Sequence, residues 1–243
     1  MSWVGEDESI DESLEYEWHA HIPHSAVVEA VEPTISAASK HYSKIQSASN
    51  KSTAPSILLV GCGNSALPRI LHDAFDVPVR VTCLDYSPVC IEMIKSMYES
   101  SCPNMDFVVG DALRLDEVIW DPNSDAEKQS AEKKHFDVIV DKGLLDALMC
   151  GEGFDLEKLM GSTNSVLTPR DWGMHVLICF QLSKASKESL NELGNGNDPN
   201  LYWDFNIPVE GSENGRACFN LAQRCRQEDA RGLVISQIAT EWV

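Results

Sequence analysis

The chain is short of cations and has no apolar run of membrane-spanning length. Lys and Arg number 19 against 38 Asp and Glu in its 243 residues, a net charge of −19. A field of that sign repels the phosphate backbone of nucleic acid and anionic lipid, and it favours a basic partner. No apolar stretch approaches the roughly 20 residues that cross a bilayer. The eight cysteines include no Cys-x-x-Cys, and several stand inside apolar strand patterns, where the thiol behaves as a small hydrophobe. A disulfide framework and a zinc site are therefore not expected, and a reducing compartment is. The opening Met1-Ser2-Trp3-Val4-Gly5-Glu6-Asp7-Glu8 is acidic and lacks the apolar core of a signal peptide. A soluble, cytoplasmic monomer is expected, with neither a nucleic-acid nor a membrane partner. There is no internal repeat.

What is present centres on Ile57-Leu-Leu-Val-Gly-Cys-Gly-Asn-Ser-Ala-Leu67. Four apolar, strand-favouring residues run into Gly61-x-Gly63, and a helix start follows at once. The two glycines permit positive φ and leave no Cβ, so a ligand can approach the backbone. Asn64 or Ser65 can cap the helix, and Pro68 falls in its first turn, where a missing N–H costs nothing. The free amides and the helix dipole suit a phosphate or a carboxylate. The same turn, taken alone, also serves as a tight structural corner.

Around that stretch the pattern alternates. Residues 1–17 are dominated by Glu, Asp and Ser, and are expected to be mobile unless a ligand orders them. A helical pattern then runs through Val27, Val28, Val31, Ile35 and Ala38, and Pro33 should kink or split it. Ser47–Ser56 reads as a linker, so residues 1–54 form an acidic segment with cap helices and residues 55–243 the main domain. Strands are expected at Val79–Leu84, Asp106–Val109, Phe136–Val140 and Met174–Phe180. Helices are expected after Ser87-Pro88, across Leu113–Ile119, from Leu156 to Leu167 and over Lys184–Leu193. Asp121–Lys134 is a polar insertion. Tyr202–Val209 and Ala217–Arg224 read as a hairpin turning at Gly211–Gly215. Five strands with intervening helices imply an α/β fold with a parallel sheet, and the hairpin adds an antiparallel member at one edge.

In an open α/β sheet ligands bind outside the carboxyl ends of the strands. Gly61 and Gly63, Asp85, Asp111 and Asp141 all fall at such ends. Asp85 lies 22 residues after Gly63, the place for a carboxylate that accepts from a ribose diol. Asp111 suits an adenine amino group, with Ala112 and Leu113 as backbone and apolar contacts. In the His19–His24 cluster His21 and His24 have metal-like spacing but no accompanying carboxylate or thiol framework, so no metal is expected and solvated or cofactor-lid histidines are.

Ile57–Asn64, Asp85-Tyr86-Ser87, Gly110-Asp111-Ala112 and Phe136-Asp-Val-Ile-Val-Asp-Lys-Gly-Leu-Leu-Asp-Ala-Leu148 resemble a class I S-adenosylmethionine-dependent methyltransferase. More narrowly they resemble the methyltransferase-like group that includes lysine methyltransferases of elongation factor 1-alpha. The resemblance covers residues 16–225 or so, and Asp-Lys-Gly-x-x-Asp-Ala-Leu is its specific mark. It implies a Rossmann-like seven-stranded, mostly parallel sheet with helices on both faces and a C-terminal antiparallel hairpin, whose seventh strand lies beside the fifth. S-adenosyl-L-methionine is the implied cofactor. Gly61 and Gly63, with Asn64, would line its methionine part and Asp85 would take the ribose. Tyr86 would lie beside the adenine, and Asp111 and Ala112 would hold the base. Asp141 and Lys142 would sit under the methyl donor, and Trp18 would close over the cofactor.

The implied substrate is a lysine of a basic protein, elongation factor 1-alpha by family. Asp141 or Asp146 would accept or orient the lysine proton, although Asp146 equally suits a helix N-cap. The family's aromatic-rich leading helix and its Ser-Ala-Pro-type substrate loop have no counterpart in residues 1–15 and 181–200. A small-molecule methyltransferase is the alternative within the same chemistry. Gly61-x-Gly63-x-x-Ala66 with Asp85 also fits an NAD-dependent oxidoreductase, and a binding module without activity is a fourth reading.

Overall fold

A computed structural model describes residues 16–20, 22–46, 54–119, 135–151, 156–180, 182–194, 201–209 and 219–226. Residues 1–15, His21, most of the linker after residue 46, the 121–134 insertion, Gln181, residues 195–200 and the 211–215 turn lie outside the described residues. The first element is helix α1 (His24–Gln46), followed by β1 (Ser56–Val60), α2 (Leu67–Asp73), β2 (Arg80–Asp85), α3 (Pro88–Tyr98) and β3 (Met105–Val109). A 3₁₀ turn (Ala112–Arg114) leads into the short α4 (Leu115–Val118). Then come β4 (Val138–Lys142), α5 (Leu144–Met149), α6 (Leu156–Val166), β5 (Met174–Cys179), α7 (Lys184–Gly194), β6 (Leu201–Val209) and β7 (Phe219–Arg226).

The first five strands form a parallel sheet in the order β3-β2-β1-β4-β5. Strand β7 pairs antiparallel with β5, and β6 pairs antiparallel with β7. The chain winds outward from β1 through β2 to β3, then returns to β1's other side for β4 and β5. That reversal opens a crevice at the carboxyl ends of β1 and β4.

Residue alternation explains why helices cover both faces. Ile57 and Leu59 of β1 enter one core with Val31 and Ile35 of α1, Leu67 and Leu71 of α2, and Ile91 and Ile94 of α3. Leu58 and Val60 enter the other with Leu115 of α4, Leu159 and Val166 of α6, and Leu190 of α7. A strand buried on both faces is apolar along its length, which is why Ile57–Val60 reads as an unbroken run, with the buried Ser56 before it bonded to Asp137.

Pro33 does not split its helix: α1 is continuous from His24 to Gln46. An interior proline costs about 3 kcal/mol. The face carrying Val27, Ala30, Val31, Thr34, Ile35 and Ala38 is buried along its length, and each large apolar side chain buried there returns about 1.5–3 kcal/mol. Packing therefore outweighs the missing hydrogen bond. At the far end of β4 the buried Asp137 ties α1 to the sheet, accepting from the Tyr42 hydroxyl at 2.9 Å, the Ser56 amide at 2.9 Å and the Trp172 indole N–H at 2.7 Å.

Candidate cofactor and active site

The turn after β1 places Gly61 at φ +64° and Gly63 at φ +55°, in the left-handed region that glycine adopts without strain. A Cβ on Gly61 would sit 2.9 Å from Leu144 Cβ, whereas one on Gly63 would enter open space. The loop backbone is thus packed against α5 on one side and approachable on the other. The Asp85 carboxylate fixes the loop: Oδ2 accepts from the Gly63 amide and Oδ1 from the Ser87 amide, both at 2.8 Å. Ser87 in turn caps α3 by accepting from Cys90 N–H.

Neither Asn64 nor Ser65 is the N-cap of α2: Ala66 holds that position without a side-chain cap bond, and the Ser65 hydroxyl one residue before it accepts from Leu67 N–H at 3.0 Å. The anion expected at this helix end is also present, and the chain supplies it. Glu17 Oε1 accepts from the Ser65 hydroxyl at 2.5 Å and from the Ala66 amide at 2.9 Å. Its other oxygen pairs with Lys142 Nζ at 2.6 Å, and His24 Nε2 lies 3.1 Å from Oε1. Burial alone would raise the Glu17 pKa, but the bonds from His24, Lys142 and Ser65 overcome it and hold the carboxyl at about 2.

These groups surround a cavity of about 330 Å³ at the crevice between β1 and β4, within the range of small-ligand sites. Tyr16, Glu17 and Trp18 line one side, and Gly61, Cys62, Gly63, Asn64 and Ser65 another. Asp85, Cys90, Lys142, Gly143, Leu144 and Ala147 complete the polar and α5 walls. Of the residues expected from sequence, Trp18, Gly61, Gly63, Asn64, Asp85 and Lys142 meet at this cavity. Tyr86 stands 79% exposed and does not line it. Asp111 and Ala112 do not line it either. Asp111 Oδ1 accepts from Leu113 N–H at 2.9 Å and caps the 3₁₀ turn, and Ala112 is buried.

The two carboxylates assigned to proton transfer are tied up with backbone. Asp141 is 1% exposed, does not line the cavity, and accepts from Leu144 N–H at 2.8 Å and Leu145 N–H at 3.2 Å. Burial pushes its pKa up to about 7; the two amides oppose that shift, and the nearby Asp146 adds to it. Asp146 is not the N-cap of α5: Gly143, at φ +95°, occupies that position, and Asp146 lies within the first turn. Its buried carboxylate accepts from Phe180 N–H at 3.0 Å and meets His19 Nε2 at 2.8 Å.

Sequence reasoning assigned no role to Glu17 and no partner to His19. Together they pin the segment Tyr16–Ala20, on which Trp18 packs against Gly143, and His19 adopts φ +54° and meets the Phe180 ring edge-on, centroids 5.0 Å apart. Two of the three clustered histidines, His19 and His24, therefore face carboxylates. No periodicity links residue 17 to 142 or 19 to 146, so the only available signal was an acidic residue beside Trp18.

Residues 57–170 match the family model described as a methyltransferase domain. The doubly wound sheet and the glycine turn lie within the matched residues, and together with this match they support a class I S-adenosylmethionine-dependent methyltransferase domain with S-adenosylmethionine as its cofactor. The dinucleotide reading of Gly61-x-Gly63-x-x-Ala66 gives way to it. Over 116 residues the chain is 32% identical to the eEF1A lysine and N-terminal methyltransferase of Xenopus laevis, covering 46% of this chain and 14% of that protein. Over 97 residues it is 34% identical to EEF1A lysine methyltransferase 4 of Mus musculus, covering 40% of this chain and 31% of that protein. The chain thus spans less than a third of the length of either curated relative. Among solved structures, the citrinin polyketide synthase CMeT domain superposes with a TM-score of 0.50 at 18% identity over 71% of this chain and 46% of that one, a likeness of fold.

The residues present fit the cofactor. Gly63 leaves its backbone open to a ligand, Asp85 lines the cavity at the end of β2, and Lys142 and Glu17 offer one charge of each sign.

Proposed function

We propose that the chain transfers a methyl group from S-adenosylmethionine to a lysine side chain of a basic protein. Elongation factor 1-alpha is the first substrate to try, because the named relatives act on it. The observation that carries the reading is the meeting of the glycine turn, Asp85 and Lys142 at one cavity at the sheet's topological switch. The reading takes the sheet as seven-stranded, with β6 and β7 as an integral edge.

In this reading Gly61, Gly63 and Asn64 pass along the methionine part, Asp85 accepts from the ribose hydroxyls, and Trp18 covers the donor. Tyr86, Asp111 and Ala112 remain proposed adenine neighbours, reached by a ligand that extends past the cavity along the ends of β2 and β3. Bound S-adenosylmethionine supplies an electrophilic methyl on a sulfonium. The protein's part is to align the acceptor amine with it and keep water out. Asp141 and Asp146 act as positioning residues: the first sets the start of α5, and the second binds α5 to the end of β5 and to His19. An acidic surface draws a basic acceptor protein to the site.

Calorimetric titration with S-adenosylhomocysteine, with NAD as control, tests the cofactor. Micromolar binding of the first alone is the expected result, and NAD binding would overturn the reading. Transfer of labelled methyl to elongation factor 1-alpha, lost when its lysines are replaced by arginine, tests the acceptor. Label appearing only on small molecules would reassign it.

A further inference from the structure

At the end of α2 away from the glycine turn, His72 and Asp73 close the helix, and Cys102 stands in the connection between α3 and β3. A ring nitrogen, a carboxylate oxygen and the thiol sulfur of these residues lie within 4.8 Å of one another. Among the described residues this is the one such cluster of metal-ligating side chains, and none of its members lines the cofactor cavity. We propose that His72, Asp73 and Cys102 bind one zinc ion, with water as the fourth ligand, and so clip the end of α2 to the connection before β3. Neither spacing nor motif marks these donors in the sequence: two are adjacent, and the third follows 29 residues after Asp73. Only the fold brings them together.

Donor chemistry, unused capacity and support agree with this role. Imidazole, carboxylate and thiolate are the three protein ligand types of zinc, and ligands of one tetrahedral ion stand about 3–4 Å apart. The cluster therefore closes on a metal by small side-chain adjustments. His72 Nδ1 meets Asp73 Oδ1 at 2.6 Å, while Nε2 is buried with no hydrogen-bond partner among the described residues. The ring thus has coordinating capacity that the protein leaves unused, where an orphan polar atom is costly. Asp73 Oδ2 is held by Arg69 one turn earlier in the helix. An ionised carboxylate has about four lone-pair positions, so a bond to metal need not displace the guanidinium. Arg69 instead orients the carboxylate, as outer partners of metal ligands do. Cys102 is fixed through its backbone: its N–H donates to the Tyr98 carbonyl at 2.8 Å, and its carbonyl accepts from Met105 N–H at 3.1 Å. Its sulfur has the Ser101 hydroxyl as a weak neighbour at 3.7 Å. Thiolate and carboxylate together outweigh the Arg69 charge, so a divalent cation is attracted. Cys102 is buried and Asp73 faces solvent, so water reaches the fourth position from one side.

The test is a cobalt titration of the full 243-residue chain, freed of metal by chelator and kept reduced. Co²⁺ should bind one per chain in the micromolar range and give a thiolate-to-cobalt charge-transfer band in the near ultraviolet. Zn²⁺ should displace it and abolish the band. Cys102→Ser should lose the band, and His72→Gln should weaken cobalt binding by about tenfold or more. Cys150→Ser, which alters an exposed thiol elsewhere, should change nothing. Zinc should also raise the melting temperature of wild type and leave that of Cys102→Ser where it was. A chain without the band at about 100 μM cobalt overturns the inference. So does a band that survives Cys102→Ser, which would put the metal on other thiols, or full affinity in His72→Gln. Should Cys102→Ser not fold, His72→Gln decides, because its side chain is 14% exposed and its loss is better tolerated. The cofactor assignment, read by S-adenosylhomocysteine binding, stands or falls separately.

Discussion

Asp85 ends β2 and Asp141 stands one residue before the end of β4, the two strands that flank β1, and their surroundings give them opposite tasks. Asp85 is only partly covered and reaches the cavity while bracing the Gly63 and Ser87 amides. Asp85→Ala should weaken S-adenosylhomocysteine binding by about 1–3 kcal/mol, the range for a lost bond to a charged group, and lower the melting temperature by freeing two amides. Unchanged affinity would remove Asp85 from the ribose position. Asp141 is sealed inside, with its pKa raised from 3.8 to about 7. A carboxyl whose pKa rises on folding stabilises the fold fully below its ordinary pKa, and that contribution is lost as the pH climbs through about 7. Asp141→Asn keeps an oxygen for the Leu144 and Leu145 amides but cannot ionise. The variant should therefore gain in melting temperature relative to wild type as pH rises from about 5 to about 9. Parallel curves would show that Asp141 titrates as an ordinary surface carboxylate does.

At the scale of elements, the glycine turn and α5 are one packed unit. Gly61→Ala combines φ +64° with a Cβ 2.9 Å from Leu144 Cβ, whereas Gly63→Ala meets only the φ penalty. In urea titrations the first should destabilise by about 2–4 kcal/mol and the second by about 1 kcal/mol; equal costs would mean that α5 yields freely to the turn. Gly143→Ala, with a Cβ 3.1 Å from Trp18 Cβ, should displace Trp18 as well, read as a shift in its fluorescence. Much of this was legible in the sequence because it is local. The runs Ile57–Val60 and Val138–Val140 are apolar at every position because both faces are covered. Ser87-Pro88 begins a helix because its cap and φ are written in two residues. The continuity of α1 through Pro33 was not legible, since it depends on what the helix packs against. Nor were the bonds of Glu17 and His19, which reach across the chain to partners 125 and 127 residues away. Asp141 and Asp146 were read from sequence as proton-handling carboxylates, and the structure shows both holding backbone amides; sequence cannot distinguish a carboxylate that faces a ligand from one that does this.

For the molecule as a whole, the excess of negative charge acts at a distance. With a basic acceptor protein, kcat/KM should fall as salt rises from about 50 to about 500 mM, because the Debye length shrinks from roughly 14 to roughly 4 Å. A rate indifferent to salt would assign recognition to contact alone. The long reach of Glu17 and His19 has a further consequence, for the order of assembly. Residues 16–20 are synthesised well before β4 and α5, and although Glu17 can meet Ser65, Ala66 and His24 early, its bond to Lys142 and that of His19 to Asp146 wait for those elements. Contacts of such sequence separation form late, after the loop between them has been closed. The strands around β1 can therefore pair before the Trp18 segment is fully pinned against Gly143. During synthesis β1, β2 and β3 with their helices would be available while the crevice still lacked the wall that Lys142, Gly143 and Leu144 supply.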